Sequence, residues 1–184
     1  VGAIMGADVV FDAKSRVFYA ATTAGDAVAL EPAGAVRWTK KIESGVFAPP
    51  VLFAGGVAFV AESGDVSAFA ADGAALWKKA LRGRVRFATP LLVESVVFFG
   101  AQNRTLYAID AGSGNQSWSL KGPDRITVGP VAIPGGIAVS YDDGTITALS
   151  RDGKRVLWEK TLPARISATP VAGSGRLAVP LGAR

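Results

Sequence analysis

The stretch RTLYAIDAGSGNQSW, Arg104–Trp118, contains an alternating apolar run, an alanine, a glycine-containing turn and a single tryptophan. Alternation of apolar and polar side chains is typical of a half-buried β-strand. Glycine, asparagine and serine favour the tight turn of a β-hairpin because they tolerate its backbone angles. The stretch therefore predicts two short antiparallel strands, with the tryptophan on the second.

The same pattern recurs along the chain at an interval of about 40 residues, which is a length typical of repeat architectures. Four kinds of marker keep this interval: a tryptophan, a proline, an alanine followed by a large apolar residue, and a turn glycine. The recurring positions are Trp38, Trp77, Trp118 and Trp158; Pro50, Pro90, Pro130 and Pro170; Ala29, Ala68, Ala108 and Ala148; and Gly34, Gly73, Gly114 and Gly153. Four independent markers with one period establish an internal repeat.

Each repeat predicts four short strands. In the fourth repeat these are ITVGPVAI (126–133), GIAVSY (136–141), TITALS (145–150) and KRVLWEKTL (154–162). Glycine and aspartate fill the turns between them, and no segment shows a helical period. Four antiparallel strands in about 40 residues is the size of one β-propeller blade. The sequence therefore predicts an all-β propeller built from four-stranded antiparallel blades.

The repeat divides the chain into about four and a half blades. The predicted segments are 6–45, 46–83, 84–123, 124–164 and a half-blade at 165–184. Because a ring with an incomplete blade leaves open sheet edges, we expect these residues to be part of a larger propeller of seven or eight blades. The remaining blades would come from the same parent chain or from self-association.

The markers also predict structural roles. We expect each tryptophan to fill the gap between neighbouring blades and each alanine to lie where two sheets approach closely. The glycine would form the last hairpin turn, and the proline would lie at the end of the innermost strand, where one lost hydrogen bond is tolerable. The alternative interpretation is that the tryptophans stack on a ligand.

Composition limits the chemistry. Histidine and cysteine are both absent, which removes the commonest general base, the commonest transition-metal ligand and any thiolate nucleophile. No paired catalytic carboxylates and no phosphate-binding glycine loop are evident. The sequence thus predicts a protein that is not an enzyme and that binds no cofactor or metal. The net charge of +5 permits an anionic partner, but no nucleic-acid-binding motif is present, so we expect no nucleic acid.

Basic residues cluster in the segments between a tryptophan strand and the next innermost strand. Arg125 and Arg165 each lie shortly before a marker proline, at the same distance from it, and Arg84 and Arg86 flank the matching position. Propeller symmetry would bring these four side chains to one rim, where they would form a basic surface for a partner. Alternatively, they are loop charges that keep strand edges soluble. The first repeat has Gly45 in this position.

The repeat resembles that of the pyrroloquinoline-quinone (PQQ)-like β-propeller superfamily, in which a strand ending in Ala-apolar-Asp leads through Ser/Thr-Gly to a tryptophan strand. The matching segments are AVALEPAGAVRW, VSAFAADGAALW, LYAIDAGSGNQSW and ITALSRDGKRVLW. The short, regular repeats are most similar to those of the BamB-type outer-membrane assembly lipoproteins. That resemblance implies a non-enzymatic scaffold of the bacterial periplasm, at the outer membrane, that binds the assembly machinery. Membrane association would then come only through a partner or a missing anchor.

Two other members of the superfamily remain as alternatives. One is a fragment of a PQQ-dependent quinoprotein dehydrogenase, whose family binds PQQ and Ca²⁺ on the propeller axis. The other is the ligand-sensing propeller of a membrane receptor or kinase. Adjacent cysteines in the rest of the parent chain would indicate the first alternative, and a neighbouring transmembrane helix the second.

Overall fold

The computed structural model describes residues 8–86 and 88–182, and strands are the regular secondary structure of this part. None of these residues forms a helix with the length and hydropathy needed to span a membrane. The first two sheets contain β1 (Val10–Asp12), β2 (Val17–Ala21), β3 (Asp26–Leu30) and β4 (Val36–Lys41), then β5 (Val51–Phe53), β6 (Gly56–Val60), β7 (Val66–Phe69) and β8 (Ala75–Lys79). The next two contain β9 (Leu91–Val93), β10 (Val96–Gly100), β11 (Thr105–Asp110) and β12 (Gln116–Lys121), then β13 (Val131–Ile133), β14 (Gly136–Ser140), β15 (Thr145–Ser150) and β16 (Val156–Thr161). The last sheet contains β17 (Val171–Gly173) and β18 (Arg176–Ala178).

Each four-stranded sheet pairs its strands in chain order, with antiparallel neighbours throughout. The first strands of successive sheets lie next to one another, from β1 through β5, β9 and β13 to β17. The fourth strand of each sheet is the outer edge and is largely exposed. Sheets that share an axis through their first strands and fan outwards are the blades of a propeller. This architecture confirms the predicted fold class.

The hydrophobic core lies between the blades. One cluster joins Tyr19 and Trp38 of the first sheet to Phe59 and Phe69 of the second, and equivalent clusters join the second to the third and the third to the fourth. Burying a side chain of this size contributes about 1.5–3 kcal/mol. The faces of each sheet are buried against the sheets on either side of it, so each blade is stabilised mainly by contacts with its neighbours.

The innermost strands are shorter than the sequence predicts. The segment 126–133 is predicted to be one strand, but only Val131–Ile133 pairs with β14. Pro130 has no N–H for a strand ladder and restricts the preceding residue. The Ile126 N–H donates to the Ala101 carbonyl in the third blade, and the Gly129 N–H donates to Thr169 Oγ1 in the fifth unit. The residues before the proline thus connect blades to one another.

A β-bulge follows the marker alanine in all four complete sheets. The register shifts between Ala29 and Leu30, and the same shift occurs after Ala68, Ala108 and Ala148. Each alanine lies directly opposite the tryptophan of its blade and is fully buried. A bulge adds twist to the strand, so its repetition gives every blade the same outer geometry.

Candidate interaction surface

Three of the marker tryptophans contact the following blade. The indole Nε1 of Trp38 donates to the Ala71 carbonyl at 3.1 Å, and the ring lies against Gly73. The equivalent bonds run from Trp77 to the Ala111 carbonyl and from Trp118 to the Arg151 carbonyl. In each case the ring packs on the hairpin turn between the third and fourth strands of the next blade. The structure thus places these residues in contacts between blades.

Trp158 has a different environment. It is 41% exposed, whereas Trp38 is 8% exposed. Trp158 lines a groove of about 470 Å³ together with Ile133 and the β17–β18 turn. The fifth unit has two strands within the described residues, so no hairpin of the kind that covers Trp38 lies over this ring.

The turns between second and third strands form one rim of the propeller with the linkers that join successive blades; we call this surface the linker rim. Backbone hydrogen bonds hold it together. The Glu62 N–H donates to the Gly45 carbonyl, the Gln102 N–H to the Arg84 carbonyl and the Asp142 N–H to the Arg125 carbonyl, each at 2.8–2.9 Å. Each turn is therefore fixed to the linker that enters its own blade, and the side chains of both segments share one surface.

Two of the predicted rim arginines share one carboxylate. Arg84 contacts Glu62 at 2.6 Å through its terminal nitrogen, and Arg86 Nε lies 3.6 Å from the same carboxylate oxygen. The Arg86 guanidinium also lies 4.9 Å from the centre of the Phe47 ring. The carboxylate therefore holds two guanidinium groups from one linker, while the Arg84 side chain remains 59% exposed.

The other two predicted arginines also share one carboxylate, but they come from different linkers. Arg125 lies 3.3 Å from one oxygen of Asp142, and Arg165 lies 3.6 Å from the other. Thr127 donates a short hydrogen bond to the same side chain. Asp142 is buried, with 6% of its side chain exposed, whereas both guanidinium groups are mostly exposed. It connects the linkers on either side of the fourth blade.

Sequence reasoning missed Glu62 and Asp142. They occupy equivalent positions in the repeat, at which the other two complete blades have Thr23 and Gln102. These four positions follow the interval of the tryptophans and prolines, so their spacing was available as a signal. The residue type varies, however, so a search for repeated residues does not find them. The structure thus divides the predicted basic surface into two clusters, each with two arginines and one carboxylate.

A buried tyrosine lies beneath the second cluster. Tyr141 precedes Asp142 and packs against Gly122 of the preceding linker, where an added methyl group would overlap the phenol ring. Burial raises the pKa of the Tyr141 hydroxyl to about 12. The hydrogen bond with Thr147 lowers this pKa, but its effect is smaller than that of burial.

This pKa predicts a loss of stability in alkaline solution. Because the folded chain keeps a proton that the unfolded chain loses from about pH 10, the free energy of unfolding falls as the pH rises from 10 to 12, by up to about 2 kcal/mol. Urea unfolding across this pH range measures the effect. Tyr141→Phe has no hydroxyl to ionise and is the control, since lysines titrate equally in both proteins. Parallel pH profiles for the two proteins would contradict the assignment of this stability loss to the Tyr141 hydroxyl.

The described residues contain no group of three or more acidic side chains arranged to hold a metal ion. The linker residue Gly129 fits between the Thr89 backbone and the Thr169 side chain, so the groups at this point are hydroxyl and backbone groups. The linker rim also carries carboxylates outside the two arginine clusters: Glu43 and Asp124 in the linkers and Asp143 in a turn. Of these, Glu43 pairs with Lys78.

These features define a β-propeller of the PQQ-like repeat class, with short turns and with tryptophans that pack between blades. The model of the family described as outer membrane protein assembly factor BamB matches residues 23–129. This match covers more than half of the chain, and the chain belongs to that family.

Two curated relatives share this description. The chain is 29% identical over 163 residues to the outer membrane protein assembly factor BamB of Bordetella pertussis, an alignment that covers 85% of this chain and 39% of that protein. It is 31% identical over 97 residues to the BamB of Burkholderia pseudomallei, covering 53% of this chain and 25% of that protein. The chain therefore spans well under half the length of these relatives.

Two solved structures share the fold. The crystal structure of BamB from Moraxella catarrhalis superposes with a TM-score of 0.74 at 19% identity, covering 89% of this chain and 54% of that one. The computationally designed Ika8 protein superposes with a TM-score of 0.78 at 16% identity, covering 94% of this chain and 57% of that one. At these identities the superpositions establish the propeller fold.

Proposed function

We propose that this chain is a non-enzymatic, protein-binding propeller of the bacterial envelope that takes part in assembling outer-membrane proteins. The observation that carries the proposal is the match of residues 23–129 to the BamB family, whose curated members are described as assembly factors. The short turns support it, because they leave the rims of the blades open to a partner. The site of action would be the periplasmic face of the outer membrane, reached through a partner or an anchor.

The proposed binding surface is the linker rim. Its four predicted arginines, Arg84, Arg86, Arg125 and Arg165, and the two carboxylates that hold them carry a net charge of +2. Each carboxylate pairs with two guanidinium groups, and the four arginine side chains remain between 41% and 62% exposed. Because the side chains are already ordered, a partner that contacts them loses less conformational freedom on binding. The favoured partner is a protein segment with an acidic surface.

Substitutions in the Asp142 cluster must leave the fold intact if they are to test binding. Reversing the charge of Arg125 or Arg165 would place a second carboxylate against the buried Asp142 and would destabilise the fold. Replacing both by glutamine would leave the Asp142 carboxylate without a cation, at a cost of about 2 kcal/mol or more. Loss of binding by either variant could therefore arise from loss of structure.

The triple variant Arg125→Gln, Arg165→Gln, Asp142→Asn avoids this difficulty, because the amide at position 142 is neutral and can still accept from Thr127. We expect it to fold, to lose net positive charge on the rim, and to bind purified outer-membrane assembly subunits about fivefold more weakly than the native chain. Equilibrium binding by calorimetry, together with thermal unfolding of each variant, measures both properties.

A matched control removes cations from the opposite rim. Lys14→Gln combined with Arg16→Gln changes two exposed side chains in the β1–β2 turn and should leave binding unchanged. If the folded triple variant binds the assembly subunits as tightly as the native chain, the linker rim is not the binding surface. If the native chain binds none of these subunits, the proposed function is wrong.

A further inference from the structure

Arg104 occupies a backbone position at which the other three complete blades have glycine. The turns between second and third strands all close with the same hydrogen bond, donated at 2.9–3.1 Å by Gly25, Gly64, Arg104 and Gly144. The glycines have φ values of +82°, +95° and +89°, and Arg104 has +71°. This left-handed region costs free energy for a residue with a Cβ atom and almost none for glycine.

The third blade therefore retains an arginine at some cost to its own stability. In the three glycine turns, an added Cβ atom would lie 2.4–2.7 Å from a linker carbonyl oxygen, so those turns leave no room for a side chain, whereas the third blade accommodates one. A strained residue persists where the surrounding structure holds it in place, and such residues concentrate at functional sites. Folding of this turn requires no arginine, since three blades form the same turn with glycine.

The surrounding turn is rigid. The side-chain amide of Asn103 donates to the Arg82 carbonyl and to the Tyr107 hydroxyl, and the Tyr107 hydroxyl donates to the same carbonyl. Asn103 Oδ1 accepts from the Thr105 N–H at 3.1 Å. These bonds fasten both sides of Arg104 to the linker, so its position is fixed while its side chain is exposed.

Arg104 also adds charge to one sector of the linker rim. The neighbouring residue Gln102 donates its N–H to the Arg84 carbonyl at 2.9 Å, so the turn lies directly against the linker that carries Arg82, Arg84 and Arg86. Glu62 is the carboxylate that pairs with this linker. No carboxylate of the described residues lies within ion-pair distance of Arg104. Glu94, a charged residue on the opposite rim that also has a positive φ, differs in this respect because it pairs with Arg151.

We infer that Arg104 is a partner-contacting residue of the linker rim and that it binds a carboxylate on an acidic protein segment. The inference rests on the proposed protein-binding function, whose binding surface it locates more narrowly, at the entry to the third blade. An exposed, unpaired guanidinium on a rigid turn is ready to accept a carboxylate through two parallel N–H donors.

The test is the pair of variants Arg104→Gly and Arg16→Gly in the full chain. Both remove one arginine from an exposed turn and both relieve a left-handed backbone, since Arg16 has a φ of +56°, but Arg16 lies on the opposite rim. The probe is fluorescein-labelled hexaglutamate, followed by anisotropy at low salt, with hexaglutamine as the uncharged control. Arg104→Gly should weaken binding about fivefold, and Arg16→Gly should change it by less than about 1.5-fold.

Stability separates this role from a structural one. Arg104→Gly should unfold at the same temperature as the native chain or a higher one, because it restores the residue of the sister turns. The inference is overturned if the native chain does not bind hexaglutamate, if Arg104→Gly binds it unchanged, or if Arg16→Gly weakens it equally. Tighter, Arg104-dependent binding of a short DNA duplex or of anionic phospholipid vesicles would also overturn it, because the ligand would then be a phosphate. A chain that binds hexaglutamate through Arg104 but captures no assembly subunit overturns the proposed function and leaves this inference standing.

Discussion

Replacing Trp38 by alanine is expected to lower the free energy of unfolding of this 184-residue chain by about 3–5 kcal/mol. The indole is nearly buried, packs between Tyr19 and Phe69, and donates its N–H to the Ala71 carbonyl. The substitution leaves a cavity between two blades and an unsatisfied carbonyl. Urea denaturation followed by circular dichroism measures the change.

The matched control is Trp158→Ala, the same substitution at the same position of the repeat. Because Trp158 is 41% exposed and its indole donates to no acceptor in the described part of the chain, we expect a cost of about 1 kcal/mol or less. Equal losses for the two variants would show that the tryptophan stabilises its own blade. Packing of Trp38 on the hairpin of the following blade predicts a much larger loss for Trp38→Ala.

Replacing Gly114 by alanine is expected to cost about 3 kcal/mol. The glycine has a φ of +71°, and an added Cβ would lie 2.5 Å from the Trp77 ring of the preceding blade. The substitution therefore combines backbone strain with a steric overlap that must separate two blades. Thermal unfolding of the variant, compared with the native chain, gives the loss.

Gly34→Ala separates the two contributions. Gly34 occupies the same hairpin position in the first blade, with a φ of +87°, but nothing lies within 4 Å of an added Cβ. Only the backbone strain remains, so the expected cost is about 1 kcal/mol. If Gly34→Ala costs as much as Gly114→Ala, then contact with the tryptophan contributes little, and the description of blade packing is wrong.

The repeat period was sufficient to predict the fold, because four markers with one spacing require one structural unit repeated in space. The innermost strand was predicted too long, since the sequence does not show that Ile126 and Gly129 use their N–H groups on other blades. Those bonds depend on how units are arranged around the axis, which no single repeat contains. The β-bulge after each alanine had a sequence signal, the recurring alanine and large apolar residue, but that signal does not specify a register shift.

The rim arginines were predictable from position and their partners were not. Arg125 and Arg165 recur at one spacing, whereas Asp142 lies between them only because two linkers meet at the fourth blade. Arg104 is an intermediate case. Aligning the repeats places Arg104 at the position of Gly25, Gly64 and Gly144. That an arginine is unusual at this position follows only from its positive φ.

Site-specific photocrosslinking in cells tests whether the linker rim binds the outer-membrane protein assembly machinery. A photoreactive amino acid is placed at Gln102 on the linker rim, or at Pro134 in the β13–β14 turn on the opposite rim, and the crosslinked proteins are identified by mass spectrometry. We expect crosslinks from position 102 to a subunit of the outer-membrane protein assembly machinery and far fewer from position 134. Crosslinks to that machinery from position 134 alone, or to no envelope protein from either position, would contradict this expectation.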